Sequence, residues 1–176
     1  MRRPARITQT RPRPPRASCA TPSTRAADVG EAVVVAPLTS SDRADWQRLA
    51  EGYKAFYATP TTPADYNAAW ARLMASDTVR GFGARLDGRL VGIVHFIFHA
   101  STWADRVCYL QDLFTDESAR GRGVARALID AVADATRANG ASRLYWMTQA
   151  HNATARALYD RVAMNRGFIR YEHPLG

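Results

Sequence analysis

The chain has 176 residues, with 24 Lys+Arg against 16 Asp+Glu and 47% hydrophobic residues. That is a size at which one domain buries about two-thirds of its unfolded surface without staples. Two cysteines, Cys19 and Cys108, are too few for a disulfide framework, and no Cys/His cluster has zinc spacing. No metal is expected, and a reducing, cytoplasmic setting is. No run approaches the ~18 apolar residues of a membrane span, since the longest is broken at His95 within 90–98. No membrane partner is expected.

The formal charge of +8 is unevenly spread. Residues 1–27 hold seven arginines, five of the nine prolines and no acid, which leaves 17 basic against 16 acidic residues in the rest. A folded face that binds a polyanion keeps an excess of basic charge, so no nucleic acid is expected on the folded domain. An Arg/Pro-rich segment buries too little apolar surface to offset its ordering entropy, so residues 1–30 are expected to be a disordered tail and 31–176 the domain. The composition also resembles an organellar transit peptide, with a solvated tail or a mis-assigned start as alternatives.

Val33-Val34-Val35 reads as a first strand, followed at Thr39-Ser40-Ser41-Asp42 by N-cap candidates for a helix carrying Trp46, Leu49, Tyr53 and Phe56/Tyr57 on one side. A second helix starts near Pro63 and carries Tyr66, Trp70 and Leu73. Runs 79–86 and 89–98, separated by Asp87-Gly88, predict an antiparallel hairpin with a primed turn. A strand over 107–115 leads through a glycine-containing turn into an amphipathic helix of Val124, Leu128, Val132 and Ala135, stopped at Asn139-Gly140. Arg143 to Met147 reads as a short strand, Asn152 begins a helix ending near 162–164, and Phe168 to Tyr171 reads as a last strand. The order β-α-α-β-β-β-α-β-α-β, without repeats, predicts a single mixed α/β layer structure.

Two segments carry chemistry. Arg120-Gly121-Arg122-Gly123-Val124-Ala125 lies between a strand and a helix. Glycines there let backbone N–H groups converge where a helix N-terminus adds partial positive charge, and a small residue at 125 keeps Cβ away: a pyrophosphate cradle. No Lys-Ser/Thr follows the second glycine and no third spaced glycine exists, which removes a P-loop and a Rossmann fingerprint. A tight strand-to-helix turn with incidental arginines stays open from this segment alone. On the later helix, Asn152, Ala155 and Tyr159 share one face, with Ala155 leaving a groove beside the phenol.

Together these segments resemble the GNAT superfamily of acyl-CoA-dependent N-acyltransferases. The pattern Arg/Gln-x-x-Gly-x-Gly/Ala is matched by Arg120, Gly123 and Ala125, and Asn-x-x-Ala-x-x-x-Tyr by Asn152, Ala155 and Tyr159. The resemblance covers roughly residues 32–172. It is nearest to the histone/polyamine acetyltransferase-like branch in Tyr109-Leu110-Gln111-Asp112-Leu113-Phe114 and in Leu158-Tyr159-Asp160 leading to Gly167-Phe168. It implies a mixed, mostly antiparallel sheet, helices on both faces, splayed between the strands near Leu113 and Tyr145 to hold acetyl-CoA. It places the cofactor contacts on Leu113, Phe114 and Thr115, at a strand bulge that re-aims backbone, on Arg120, Gly121, Arg122, Gly123, Val124 and Ala125, on Asn152, and on Tyr159 at the sulfur.

The reaction so implied is direct attack by a primary amine, of a small polyamine-like molecule or a protein amino group, on the acetyl thioester. An alkylamine of pKa ~10.4 is mostly charged at pH 7, so its proton needs a route. Many relatives have Glu where Gln111 stands, and Gln is no base; Asp112 or a water chain remains as acceptor. With unbroken strand alternation Gln111 and Asp112 face opposite ways, and a bulge would change this. Tyr159 is expected to protonate or hydrogen-bond the departing thiolate. Tyr53, Tyr57 and Trp70, with Gln111, are candidate acceptor-pocket residues, although aromatics at helical spacing also read as core. Cys108 reads as packing, His95 and His99 as core or rim histidines, and His151 as a loop histidine. A homodimer is a further expectation. The alternative function is a non-catalytic acyl-CoA-binding or sensor module, for which Gln111 is the one argument.

Overall fold

The computed structural model describes residues 32–76 and 78–175; the expected N-terminal tail and Cys19 lie outside the described residues. Five strands, β1 (Val34–Pro37), β2 (Val79–Leu86), β3 (Arg89–Ser101), β4 (Ala104–Thr115) and β5 (Leu144–Tyr145), form one sheet in chain order. The first four pair antiparallel and β5 runs parallel to β4. The β2–β3 turn has Asp87 at φ 50° and Gly88 at φ 77°, the two positive angles a primed hairpin turn requires.

Helices α1 (Arg43–Phe56) and α2 (Pro63–Ala75) cover one face, and α3 (Val124–Ala138) the other. The α1 side buries Leu38, Trp46, Leu49, Leu90 and Ile93. On the α3 side Val94, Phe96, Phe98, Cys108 and Leu110 meet Val124, Leu128, Ile129 and Val132. The alternating residues of β3 thus split between two cores, as a sheet covered on both faces requires. Helix α4 (Ala153–Val162) adds Leu158, Tyr159 and Val162 to the α3 side.

Besides register shifts between Ala84 and Arg85 of β2 and between His99 and Ser101 of β3, the sheet departs from regularity in two places near the opening. The β3–β4 register runs His95↔Asp112 and then Phe96↔Leu110, so Gln111 is an extra residue in β4. This bulge breaks the alternation, and Gln111 Nε2 reaches Asp112 Oδ2 at 3.5 Å, on the same side. Leu113, Phe114 and Thr115 pair regularly with Val94, Ile93 and Gly92, so the bulge lies ahead of the segment where the family resemblance put it. Second, β5 pairs with β4 only at Cys108↔Leu144 and Tyr109↔Tyr145; beyond the stacked rings of Tyr109 and Tyr145, 5.1 Å apart, the strands part.

The expected last strand at Phe168–Tyr171 does not form: residues 163–175 hold no helix or strand, and Phe168, Ile169 and Tyr171 are exposed. A strand exists only through a partner's ladder of hydrogen bonds, and with β5 two residues long the sequence's β propensity there finds none among the described residues.

The entry to α1 is set by Asp42, which is buried at the end of a short 3₁₀ turn. Its carboxylate accepts from Thr39 N at 2.8 Å and Thr39 Oγ1 at 3.0 Å and pairs with Arg85 of β2. Burial alone would raise its pKa, but these hydrogen bonds and the guanidinium hold it below the usual carboxylate value. A depressed folded pKa stabilises the fold at pH values above the unfolded one, and that contribution disappears as pH falls through the folded value. Asp42→Asn should therefore cost about 1.5–3 kcal/mol at pH 7, the range for a hydrogen bond to a charged group, and the gap from wild type should be narrower at pH 3. Urea unfolding at the two pH values measures this; a gap independent of pH would contradict the ionic role.

Candidate active site

The opening between β4 and β5 is lined from three directions. From β4 comes Asp112, with Gln111 beside it; from the last two turns of α1 come Tyr53 and Tyr57; from the far wall come Trp146, Asn152 and Tyr159. The Tyr53 phenol lies by the Asp112 carboxylate and the Asn152 side chain by the Tyr57 phenol. Tyr57 feels Asp112 electrostatically and Tyr159 feels Tyr57, so the three groups lie near one another.

Asp112 supplies the carboxylate of this lining, with a side chain 20% exposed. Burial pushes its pKa up, but His95, through its hydrogen bond and the electrostatic pull of its ring, and then Tyr53 outweigh burial and leave it below the ordinary value. It is ionised at neutral pH. His95 Nδ1 lies 2.9 Å from Asp112 Oδ2, and His95 Nε2 lies 2.9 Å from Trp46 Nε1. Tyr159 is packed against Trp146 at 5.4 Å, and burial, with Tyr57 contributing, pushes its pKa up to about 12. Tyr53 is raised further in the same direction by burial and by Asp112. Both phenols keep their protons across the physiological range.

The strand-to-helix turn after β4 is pinned from below. Asp116 caps the following 3₁₀ turn through Ser118 N at 3.1 Å and Ser118 Oγ at 2.8 Å. Arg48 of α1 bridges Asp116 at 2.6 Å and the Leu90 carbonyl at 2.9 Å. Gly121 and Gly123 then adopt φ +76° and +80°, and a Cβ built on either meets nothing within 4 Å. The space on that side is open, while Val124, 1% exposed, anchors the first turn of α3 in the core. Gly123 caps α3 without a side chain and no acid stands in its first turn, so the first-turn amides are available to an anion at the positive end of the helix dipole. Thr115 adds a buried Oγ1 without a hydrogen-bond partner among the described residues, an acceptor and donor that a polar ligand would satisfy. These residues fit a pyrophosphate and its polar arm.

The side chains of Leu113 and Phe114 pack into the two cores, Phe114 against Gly52 of α1, which leaves their backbone for any ligand contact. Arg120 pairs with Glu117 at 3.0 Å. Asn152 caps α4 through Ala155 N at 3.2 Å and bonds Thr148 Oγ1 at 3.3 Å, which makes it a structural hinge of the wall as well as a contact for Tyr57. Trp70 stacks on Trp46 at 5.0 Å, one ring behind His95, and belongs to the core rather than to the lining around Asp112. His99 meets the Tyr145 hydroxyl at 3.0 Å on the rim. His151 is exposed. Cys108 is fully buried, and burial pushes its thiol pKa up, which fits packing. Among the described residues no cluster of His, Cys, Asp or Glu could hold a metal, and no helix is long and apolar enough to cross a membrane. The residue that sequence reasoning undervalues is His95. Its signal is a polar interruption in the apolar run 90–98, on the side of β3 that faces Trp46.

Residues 45–164 match the profile of the Acetyltransferase (GNAT) family. The chain is 30% identical over 149 residues to the D-amino-acid N-acetyltransferase HPA3 of Saccharomyces cerevisiae, covering 82% of this chain and 92% of that one. It is 34% identical over 84 residues to a thialysine N-epsilon-acetyltransferase of Caenorhabditis elegans, covering 48% of this chain and 52% of the other. The crystal structure of a ribosomal-protein-alanine N-acetyltransferase from Brucella melitensis superposes with a TM-score of 0.72 at 28% identity, over 82% of this chain and 99% of that one. The splayed sheet, the glycine turn and these likenesses agree: the chain is an acetyltransferase and belongs to the GNAT family.

Proposed function

We propose that the protein transfers the acetyl group of acetyl-CoA to the primary amine of a small amino compound by direct attack, with Asp112 and Tyr159 as the catalytic residues. The observation that carries this reading is the ionised Asp112 carboxylate inside an aromatic-walled opening. A small amine is favoured over a protein amino group by the acceptors named for the yeast and nematode relatives, a D-amino acid and thialysine. A carboxylate framed by Tyr53 and Tyr57 suits an ammonium through charge and through the π faces of the rings.

Magnitudes decide how Asp112 acts. An ordinary carboxylate at ~3.9 and an alkylammonium at ~10.4 are separated by about 9 kcal/mol against proton transfer before reaction, and Asp112 lies on the low side of the carboxylate value. Asp112 therefore anchors the ammonium first. It takes a proton once bond formation to the acetyl carbon has made the nitrogen acidic, as general-base catalysis requires. Acetyl-CoA supplies the activated acyl group as a thioester. Leu113, Phe114 and Thr115 line its arm through the unpaired edge of β4, and residues 120–125 take the pyrophosphate through backbone N–H groups. A phenol held near 12 facing a thiol of ~8.5 keeps most of its proton, so Tyr159 stabilises the departing sulfur by a hydrogen bond rather than by full transfer. A non-catalytic sensor would need neither group.

The test is an amine screen with acetyl-CoA, followed by release of free thiol, in wild type and Tyr159→Phe. That substitution keeps the ring and deletes the hydroxyl; losing one such hydrogen bond, ~1–3 kcal/mol, should lower kcat roughly 10- to 100-fold with acetyl-CoA affinity unchanged. Equal single-turnover rates would remove Tyr159 from catalysis, and no turnover with any amine would favour the sensor.

The cradle is tested separately by Ala125→Glu. A carboxylate in the first turn of α3 interacts well with the helix dipole but opposes a phosphate, so melting temperature should hold or rise while CoA binds at least about 10-fold more weakly by calorimetry. Unchanged affinity would sink the assignment.

The homodimer rests on Phe168, Ile169, Tyr171 and Leu175, each more than 70% exposed, and on the open outer edge of β5. Four such side chains on each of two copies amount to roughly 1,000 Å² of apolar surface, the threshold for a specific interface. Analytical ultracentrifugation should show a dimer that Phe168→Ser/Ile169→Ser dissociates; a monomeric wild type at micromolar concentration would overturn this.

A further inference from the structure

We propose that His95 is a positioning residue for Asp112, held as its neutral Nδ1–H tautomer by the indole of Trp46, and that this arrangement keeps the full negative charge of Asp112 for the incoming ammonium. It rests on the amine-acceptor reading and assigns a task to two residues outside the catalytic pair.

An indole Nε1–H only donates. It sits 2.9 Å from His95 Nε2, so that nitrogen presents its lone pair and the ring hydrogen resides on Nδ1. Nδ1–H then donates to Asp112 Oδ2 at 2.9 Å. Oδ2 also accepts from Gln111 Nε2 at 3.5 Å, so Oδ1 is the atom left for the ammonium. Adding a second proton to the ring would set two N–H groups against each other and leave the indole donor of Trp46, 1% exposed, without an acceptor. A buried donor without a partner is costly.

The consequence is electrostatic. A neutral imidazole supports the carboxylate with one hydrogen bond and no charge, whereas an imidazolium would form an ion pair with Asp112 and compete with the substrate cation for it. The ring itself is clamped. Trp46 lies across it at 6.0 Å, Gly81 of β2 is its register partner, and a Cβ on Gly81 would stand 3.4 Å from His95 Cδ2. The ionisable groups around the pair are Tyr109 on β4, Tyr53, Lys54 and Tyr57 on α1, with Arg43 of α1 and Tyr66 of α2 beyond the Trp46 ring. β2 presents a glycine here. None of these groups ordinarily titrates between pH 5 and 8, so a new inflection there reports His95.

Trp46→Phe keeps an aromatic ring and deletes the donor, freeing Nε2 for a proton. In that variant the KM for amine should rise about 10-fold as pH falls from 7.5 to 5.5, through an inflection absent from wild type, with acetyl-CoA KM flat. His95→Asn retains a donor toward Asp112 and has nothing to titrate, so Trp46→Phe/His95→Asn should lose the inflection. A Trp46→Phe profile that superimposes on wild type, or an inflection that survives in the double variant, would overturn the proposal. Nitrogen-15 NMR of histidine-labelled wild type reads the tautomer without substrate and without any variant. A neutral ring protonated at Nδ1 at pH 6–7 is expected, and an Nε2–H ring or an imidazolium overturns the proposal even if the protein is an active transferase. The expected tautomer in a protein that acetylates no amine would instead leave the positioning intact and sink the amine reading.

Discussion

A parallel pair of strands that stops hydrogen-bonding partway creates the site. β5 can follow β4 only as far as Tyr109 and Tyr145, where two aromatic rings fill the angle between them. From Leu110 onward the β5-side edge of β4 lacks a ladder among the described residues. Unpaired backbone groups inside a protein must be satisfied by something, and here the requirement coincides with a gap that a polar, extended ligand can enter. The same parting carries Trp146 away from the sheet and onto Tyr159, so one geometric event opens the gap and places the phenol beside it.

Holding a carboxylate in this opening has a cost, since burial disfavours the charged form. The structure offsets it through the hydrogen bond and electrostatic pull of His95 and through Tyr53 rather than with an arginine ion pair; Lys54, the chain's one lysine, acts only through its charge. Arginine ion pairs are used elsewhere. Arg85 neutralises Asp42 at the start of α1, and Arg48 neutralises Asp116 under the glycine turn. The contrast is chemically sensible. Asp42 and Asp116 fix the positions of elements, and a strong ion pair suits that work; in the proposed reading Asp112 would have to remain attractive to a positively charged acceptor.

The hairpin, the four helices and the glycine turn are legible in the sequence because each has a local cause: Asp87-Gly88 for the primed turn, Thr62-Pro63 with Asp65 for the start of α2, and the Val124/Leu128/Val132 stripe for α3. The Phe168–Tyr171 segment misleads because a strand depends on its neighbour, and the neighbour's length is not a local property. The position of the bulge is hidden in the same way. Gln111 and Asp112 share a side only because β4 slips one residue against His95, and no pattern within 107–115 shows this. His95 draws little notice in the sequence because its importance lies in two atoms, Trp46 Nε1 and Asp112 Oδ2, that are distant along the chain.

Helix α1 resolves the ambiguity of aromatic residues at helical spacing. Trp46, Tyr53 and Tyr57 lie seven and four residues apart on one face, and the stripe changes character along its length. Trp46 is buried and fixes an imidazole, Tyr53 is half-buried and touches the carboxylate, and Tyr57 reaches Asn152 on the far wall. A rigid helix therefore ties the core to the mouth of the site, with the core end held by Asp42 and Arg48. Side chains at the mouth end, Tyr57 and the exposed Phe56, can change without disturbing Trp46 or His95. In the proposed reading, acceptor size would thus be set two to three turns away from the atoms that control charge, so that different amines could be accepted while the carboxylate that attracts them stays in one electrostatic state.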